Sequence, residues 1–218
     1  MQRPPAIMAI GKNYLDHATE MGSKPPEHVM VFTKNPASLV GDGDAIRIPA
    51  ICRSNGPQVD WEGELAVIIG RDCKDVSVDD ALKFVSGYAV ANDVSARWWQ
   101  LKGSGGQFCR GKSFDSFCPM SAPIPASSVP DPQSLRIVTR VNGTIMQDAG
   151  TDGMVFGVAR IVSELSQGTT ILAGTVILTG TPAGVGAGRT PPVFLKHGDL
   201  VEVSILGVGN LRNPVIEE

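Results

Sequence analysis

The stretch Val59-Asp60-Trp61-Glu62-Gly63-Glu64-Leu65-Ala66-Val67-Ile68-Ile69-Gly70 decides how the chain is read. Leu65 to Ile69 are apolar without interruption and Gly70 stops them, so Glu64 to Ile69 reads as a buried strand. On extended backbone, residues i and i+2 point to the same side. Glu62 and Glu64 therefore stand side by side where this strand begins. Like charges held that close call for a cation or a shared proton. Taken alone, such a pair also fits a solvated sheet face.

Working outward, Tyr88 to Asp93 is a second strand, and it delivers a third carboxylate at its end, in Ala91-Asn92-Asp93-Val94. Three carboxylates from two strand ends make an oxygen-rich site of the kind Mg²⁺ or Mn²⁺ chooses. Leu135 to Val141 runs into Asn142-Gly143, and Thr144 to Gln147 returns. Asn-Gly is a hairpin signal because a type I′ turn needs positive φ at both central positions. Thr175 to Thr179 and Leu200 to Leu206 are further strands, and Gly207 to Pro214 turns into a final hairpin.

Helices are few. Ser77 caps a short one over Val78 to Val85. Met154 to Leu165 is the best, with Val158, Ile161, Val162 and Leu165 at helical spacing and Gly168 just past its end. Tyr14 to Met21 is a shorter segment. The strands outnumber the helices and are separated by Gly/Pro turns. The expected fold class is α+β and β-rich, a roll or barrel rather than a doubly wound parallel sheet.

Composition narrows the function classes. The 218 residues include 25 Gly and 16 Pro and are 42% hydrophobic, too apolar for a disordered chain and too rich in helix breakers for a bundle. A net charge of −3, with no basic cluster, leaves no electrostatic footprint for nucleic acid. No apolar run approaches the roughly 20 residues of a membrane span, and the N-terminus has no signal-peptide pattern. The expected location is cytoplasmic, with a mitochondrial one left open. Cys52, Cys73, Cys109 and Cys118 form no C-x-x-C pair and read as reduced thiols. No linker divides the chain, so residues 1–218 are expected to form one domain.

Three further segments carry candidate chemistry. In Tyr14-Leu15-Asp16-His17-Ala18-Thr19-Glu20, a helix would put His17 and Glu20 on one face. A carboxylate so placed orients an imidazole and raises its basicity; an exposed helical histidine is the plainer reading. Gly106 to Ser113 matches the phosphate-loop spacing literally, but no strand leads into it and no helix follows Lys112, so its context argues against that use. Lys112 is a candidate for stabilising an enolate or carboxylate. In Leu178-Thr179-Gly180-Thr181-Pro182-Ala183-Gly184-Val185-Gly186, backbone N–H groups and Thr181 are placed to hold a substrate carboxylate, unless the segment is simply a tight turn.

The succession GKNYLDHATEMG, VDWEGELAVIIG, GYAVANDVSAR, GKSFDSFCP, VNGTIMQDA and LTGTPAGVG resembles the fumarylacetoacetate hydrolase family, from Ile10 to about Val215. The resemblance implies a mixed β-roll of the type found in that family's C-terminal domain, in the short single-domain form, usually a homodimer. It implies Mg²⁺ or Mn²⁺ on Glu62, Glu64 and Asp93. It implies a lid at about residues 11–22 whose His17 and Glu20 activate water, Lys112 as a catalytic residue, and Arg97, Gln100 and Thr181 against the substrate. Many relatives carry an Asp where this chain has Trp98, which bears on substrate preference and not on the metal ligands. The implied reaction is metal-dependent C–C hydrolysis of a 2,4-dioxo acid such as an acylpyruvate or fumarylpyruvate. Oxaloacetate decarboxylation or tautomerisation on the same site is the alternative, and a non-catalytic member that binds a keto acid is a third reading.

Overall fold

The computed structural model describes residues 3–218. In chain order its principal strands are β1 (Ile7–Gly11), β2 (Met30–Lys34), β3 (Ile46–Ile48), β4 (Gly63–Ile69), β5 (Val85–Asn92), β6 (Ile124–Pro125), β7 (Arg136–Val141), β8 (Thr144–Gly150), β9 (Val176–Leu178), β10 (Leu200–Ile205) and β11 (Gly209–Glu217). The helices are α1 (Leu15–Glu20), α2 (Val78–Ala81), α3 (Arg97–Leu101), α4 (Phe108–Gly111) and α5 (Val158–Ser166).

Two mixed sheets form, as the β-rich reading requires. One has the order β6-β5-β4-β9-β1-β2 and the other β8-β7-β10-β11-β3. The β1–β9 and β3–β11 pairs are parallel and the remaining pairs antiparallel. Period-two alternation sends Leu65, Val67 and Ile69 of β4 into the main core, where Ile137, Val203 and Ile205 of the second sheet also lie. Ala66 of β4 joins Ala89, Ala91 and Leu178 in a second cluster on the opposite face. Glu64 shares the parity of Ala66, so it projects to the face away from the second sheet. That face carries the site.

The second sheet lies directly against the backbone of Gly63. A Cβ there would lie 2.1 Å from Thr139 Oγ1 and 3.0 Å from Val203 Cγ1. The glycine between the two glutamates is thus demanded by layer packing, and it keeps the second sheet close beneath the site.

The expected elements form with adjusted limits. Asn142 and Gly143 take φ of 51° and 78°, as the hairpin signal between β7 and β8 requires. Ser77 Oγ accepts from Asp80 N at 3.3 Å, capping α2, but the α-helix ends at Ala81 and Val85 already belongs to β5. The expected helix over Met154 to Leu165 starts only at Val158. Residues 154–156 are diverted: Met154 bridges Tyr14, Val155 N donates to Asn13 O, and Phe156 N donates to Asn13 Oδ1. Those contacts clamp the segment before α1 onto the body of the fold. The final hairpin runs three residues beyond Pro214, because β11 continues to Glu217 to pair with β3. β1, β2, β3, β6, α3 and α4 were not expected.

Substituting Gly63→Ala should lower stability by about 1–3 kcal/mol, the usual cost of overpacking a filled core. Urea unfolding checks this; an unchanged midpoint would mean that Thr139 and Val203 yield without strain.

Candidate active site

The register of β4 on β5 assembles the carboxylates. Gly63 faces Asn92 and Glu64 faces Ala91, so the next step brings Glu62 level with Asp93, whose N–H donates to Glu62 O at 2.8 Å. One oxygen from each of Glu62, Glu64 and Asp93 lies within 4.8 Å of the others, and all three residues are buried. The same-side geometry expected of Glu62 and Glu64 thus gathers the carboxylates inside the protein, not on a solvated face.

Buried like charges need compensation. Lys112 Nζ sits between Glu62 Oε2 and Asp93 Oδ2, 2.6 Å from each. Lys34 Nζ approaches Asp93 Oδ1 at 2.5 Å. Arg97 Nη1 meets Glu62 Oε1 at 2.7 Å, and Arg97 Nε and Nη2 grip Asp60 Oδ2 at 2.8 and 2.7 Å. Burial alone would raise the Glu62 carboxyl, but the Lys112 and Arg97 charges beside it hold it at about 2. Burial would likewise lower the Lys112 ammonium, but Asp93 and Glu62 push it above the usual lysine range. Glu64 differs. Burial, then the negative charges of Asp93 and Glu62, push it well above the carboxylate range. Its Oε2 accepts from Gly180 N at 2.7 Å, and among the described residues no salt bridge neutralises it.

Asp60, Glu62, Glu64 and Asp93 face Lys34, Arg97 and Lys112, one carboxyl more than the cations. The odd one is Glu64, and a cation among these oxygens would favour the ionised form that burial and its neighbours oppose. That donor set, all hard oxygen, fits a divalent cation.

The glycine-rich segment after β9 departs from expectation. Its N–H groups serve the protein's own carboxylates instead of standing free for a substrate. Gly180 N holds Glu64, Gly184 N holds Glu20 Oε1 at 2.9 Å, and Gly186 N and Ala187 N hold Asp60 at 2.7 and 2.9 Å. Close approach explains two of the glycines. At Gly180, with φ of 98°, a Cβ would lie 2.7 Å from Asn13 Cβ; at Gly184, with φ of 105°, one would lie 2.0 Å from Met146 O. Thr181 Oγ1 donates to Gly63 O at 3.0 Å and accepts from Gln147 Nε2 at 2.7 Å.

The segment expected to act as a lid packs over this floor. Asn13 Nδ2 donates to Thr179 O and Phe156 O, and α1 begins after it. His17, buried, places Nδ1 3.3 Å from Glu20 Oε2. Burial works to raise Glu20, but His17 and the Gly184 N–H outweigh it and hold the carboxylate below its ordinary range. Tyr14 occupies the N-cap position without capping through its side chain, which is buried as packing.

A cavity of about 280 Å³ is lined by His17, Glu62, Arg97, Gln100, Lys112 and Thr181, with Phe32, Leu101 and Phe108 on its apolar side. Glu20, Glu64 and Asp93 are not part of the lining. Arg97 is largely spent on protein partners, since Gln100 Oε1 takes another of its N–H groups at 3.0 Å. Lys112 follows α4, and its ammonium is bound between carboxylates, which excludes phosphate-loop geometry. Trp98 and Trp99 stack edge to face at 4.8 Å and do not line the cavity.

Sequence reasoning missed Lys34, Asp60, Gln147 and Asn13. Asp60 was within reach, because Asp60, Glu62 and Glu64 continue one i, i+2 row. Lys34 was legible as the inward end of Phe32-Thr33-Lys34, where Phe32 and Lys34 are buried and Thr33 is exposed. Gln147, which accepts from Gly63 N at 2.9 Å, comes from the other sheet and left no local signal.

Residues 6–216 match the family model described as fumarylacetoacetate (FAA) hydrolase C-terminal. The chain is 44% identical to the mitochondrial oxaloacetate tautomerase fahd2 of Xenopus laevis, over 98% of this chain and 66% of that protein. It is 44% identical to the oxaloacetate tautomerase YisK of Bacillus subtilis, over 96% and 69%. The chain thus spans about two thirds of the length of these curated relatives. A crystal structure of fumarylpyruvate hydrolase from Pseudomonas aeruginosa, in complex with Mn²⁺ and pyruvate, superposes with a TM-score of 0.88 at 30% identity, covering 99% of this chain and 91% of that one. The register-built carboxylate cluster, the His17–Glu20 pair above it and these matches lead to one conclusion: the chain belongs to the fumarylacetoacetate hydrolase family.

Proposed function

We propose that the chain is a divalent-metal-dependent enzyme that interconverts the keto and enol forms of a short 2-oxo diacid of the oxaloacetate class. The observation that carries this reading is the cavity, in which His17 and Lys112 both stand at a volume of about 280 Å³. That volume lies at the foot of the about 300–1,000 Å³ range of small-molecule pockets. It accommodates a short 2-oxo acid, and the choice of a four-carbon acid over the longer chain of a fumarylpyruvate rests on the relatives. The two oxaloacetate tautomerases at 44% identity support the same order. Hydrolysis of 2,4-dioxo acids, the first expectation from sequence, thereby becomes the second reading, favoured by the likeness to fumarylpyruvate hydrolase.

Glu62, Glu64 and Asp93 are the residues that would hold Mg²⁺ or Mn²⁺, which supplies Lewis-acid polarisation of the 2-oxo group when bound. The chain's own groups do the rest. Glu20, fixed by Gly184 N–H, takes Nδ1 of His17 and leaves Nε2 for the substrate. His17 carries one proton between C3 and the 2-oxo oxygen by way of the imidazole, so that keto and enol forms interconvert with no net proton gained or lost, and the Glu20 carboxylate stabilises the imidazolium formed on the way. Lys112, kept protonated by Asp93 and Glu62, hydrogen-bonds the oxygen that gains charge as the enolate forms. Thr181 and Gln100 position the acid. The apolar side at Phe32 and Phe108 excludes water, which favours proton transfer over attack by hydroxide.

The chain with Mg²⁺ should accelerate loss of the enol absorbance of oxaloacetate, and chelator should abolish the effect. His17→Ala should reduce kcat by about 10²–10⁴-fold, the range for a lost general base. Cleavage of acylpyruvate with no effect on enol-oxaloacetate would reverse the order of the two readings.

Glu64→Gln keeps an acceptor for Gly180 N–H and removes the carboxyl that must ionise beside Asp93 and Glu62 to hold a cation. Its melting temperature without metal should equal or exceed that of the parent, since repulsion from Asp93 and Glu62 is gone. The rise in melting temperature that saturating Mn²⁺ gives the parent should vanish. A Mn²⁺ response of parental size in this variant would remove Glu64 from the ligand set.

A further inference from the structure

Gln147 reaches the site from the second sheet and is 1% exposed. Its carboxamide is committed in three directions. Oε1 accepts from Gly63 N at 2.9 Å, between Glu62 and Glu64. Nε2 donates to Thr181 Oγ1 at 2.7 Å and to Pro182 O at 2.8 Å. The amide has no alternative orientation. Turned over, it would set its N–H groups against the Gly63 N–H and its oxygen against Pro182 O. The ladder is interrupted where this side chain leaves it. On β7, Thr139 pairs with Gln147, but the next residue, Arg140, pairs with Ile145, which leaves Met146 as an extra residue in β8. A bulge of this kind re-aims the side chain beside it. The Met146 carbonyl accepts from Arg189 Nη2 at 2.9 Å.

The consequence falls on Thr181. A hydroxyl has one proton and two lone pairs. Gln147 Nε2 occupies one lone pair, and the proton goes to Gly63 O at 3.0 Å. Gly63 O is a carbonyl and only accepts, so the threonine must be the donor in that bond. One lone pair remains, and Thr181 lines the cavity. The sequence suggested that this threonine holds a substrate carboxylate; the hydrogen-bond pattern reverses its polarity. An oxygen held as an acceptor is repelled by a carboxylate and satisfied by an O–H donor.

We infer that Gln147 is a positioning residue: by fixing the Thr181 hydroxyl as an acceptor, it makes the site favour the enol form of the acid, which brings an O–H donor, over the keto form, which brings only oxygen acceptors. This deepens the proposed function and rests on it for the reaction. In keto–enol exchange the proton that leaves C3 ends on the 2-oxo oxygen, and the C–H electron pair becomes the carbon–carbon double bond. Thr181 accepts a hydrogen bond from that new O–H and has nothing to accept from the keto form. Gln147 touches no ligand in this arrangement and acts through Thr181 alone.

The test is equilibrium binding to the full chain, with saturating Mg²⁺, of two three-carbon acids that differ at C2: lactate, each enantiomer separately, which carries an O–H there, and pyruvate, which carries a C=O. The quantity read is the ratio of lactate to pyruvate affinity for the tighter enantiomer, so a general change in the site cancels. Thr181→Val keeps the shape and removes the acceptor. It should lower the ratio about 2- to 10-fold, the value of one neutral hydrogen bond, through lactate alone. Thr181→Ser, whose hydroxyl has the same partners, should keep the parent ratio. Gln147→Met and Gln147→Leu remove the N–H groups and should lower the ratio by a similar factor, with no further fall when combined with Thr181→Val. Equal weakening of both acids by Thr181→Val would make the threonine a donor to the carboxylate they share and overturn the inference. A parental ratio in the Gln147 variants, or a fall as large without Thr181 as with it, overturns the role of Gln147. Failure of both Gln147 variants to fold would make it a structural residue and overturn the role equally. These titrations need no turnover, so a parent that does not tautomerise oxaloacetate would sink the proposed reaction and leave the measured polarity of Thr181 to stand or fall separately.

Discussion

The Lys112 ammonium, 2.6 Å from both Glu62 and Asp93, is the interaction on which the site depends. Four carboxylates gather where β4 and β5 meet, and their mutual repulsion would drive them apart or protonate them. Lys112 draws Glu62 and Asp93 together from its place just after α4, while Lys34 and Arg97 tie the same cluster to β2 and α3. A buried network of this kind contributes little net stability, because desolvation offsets most of the attraction. Its effect is to fix positions. The carboxylates are held in place before any ligand arrives, and Glu64 is left as the carboxyl that only a further cation would favour as a charge.

Backbone geometry completes what the cations begin. Between Gly180 and Ala187 the chain turns its N–H groups onto Glu64, Glu20 and Asp60 in succession. Each of these carboxylates serves a different part of the site. Glu64 belongs to the oxygen cluster, Glu20 orients His17, and Asp60 grips Arg97. One loop therefore sets the floor, the base and the guanidinium relative to one another. The glycines are required because a side chain at Gly180 or Gly184 would collide with Asn13 or with the Met146 carbonyl.

Much of this was legible in the sequence where the signal is local. The parity of Glu62 and Glu64, the Asn142-Gly143 turn and the i, i+3 spacing of His17 and Glu20 each depend on neighbours within four residues, and each appears in the structure as read. Legibility fails where a residue's role depends on a distant partner. The helical pattern from Met154 was sound, but Asn13, 143 positions away from Phe156, takes the backbone groups that the first turn would have used. The glycine-rich loop read as a ligand cradle because its N–H groups do face carboxylates; only the fold reveals that these are the protein's own. Arg97 reads as a substrate contact until Asp60, 37 residues earlier, is seen to occupy it. β1 and β3 lack bounding turn signals in the sequence, the brief alternation of β2 went unread, and pairing with their neighbours forms all three.

The same geometry explains why one site can serve reactions that carry different names. Tautomerisation, decarboxylation and C–C hydrolysis of a 2-oxo acid share an enolate, and on the proposed function Lys112 and a cation held by the carboxylate cluster would stabilise it in each case. What separates the reactions is whether the imidazole handles a carbon-bound proton or a water molecule, and that is decided by the segment carrying His17. This segment is anchored at only a few points: Asn13 at its start, the Tyr14–Met154 bridge, and Glu20 on Gly184 N. On the proposed function, reaction type in this fold is a property of the α1 segment that carries His17 and of the contacts that hold it.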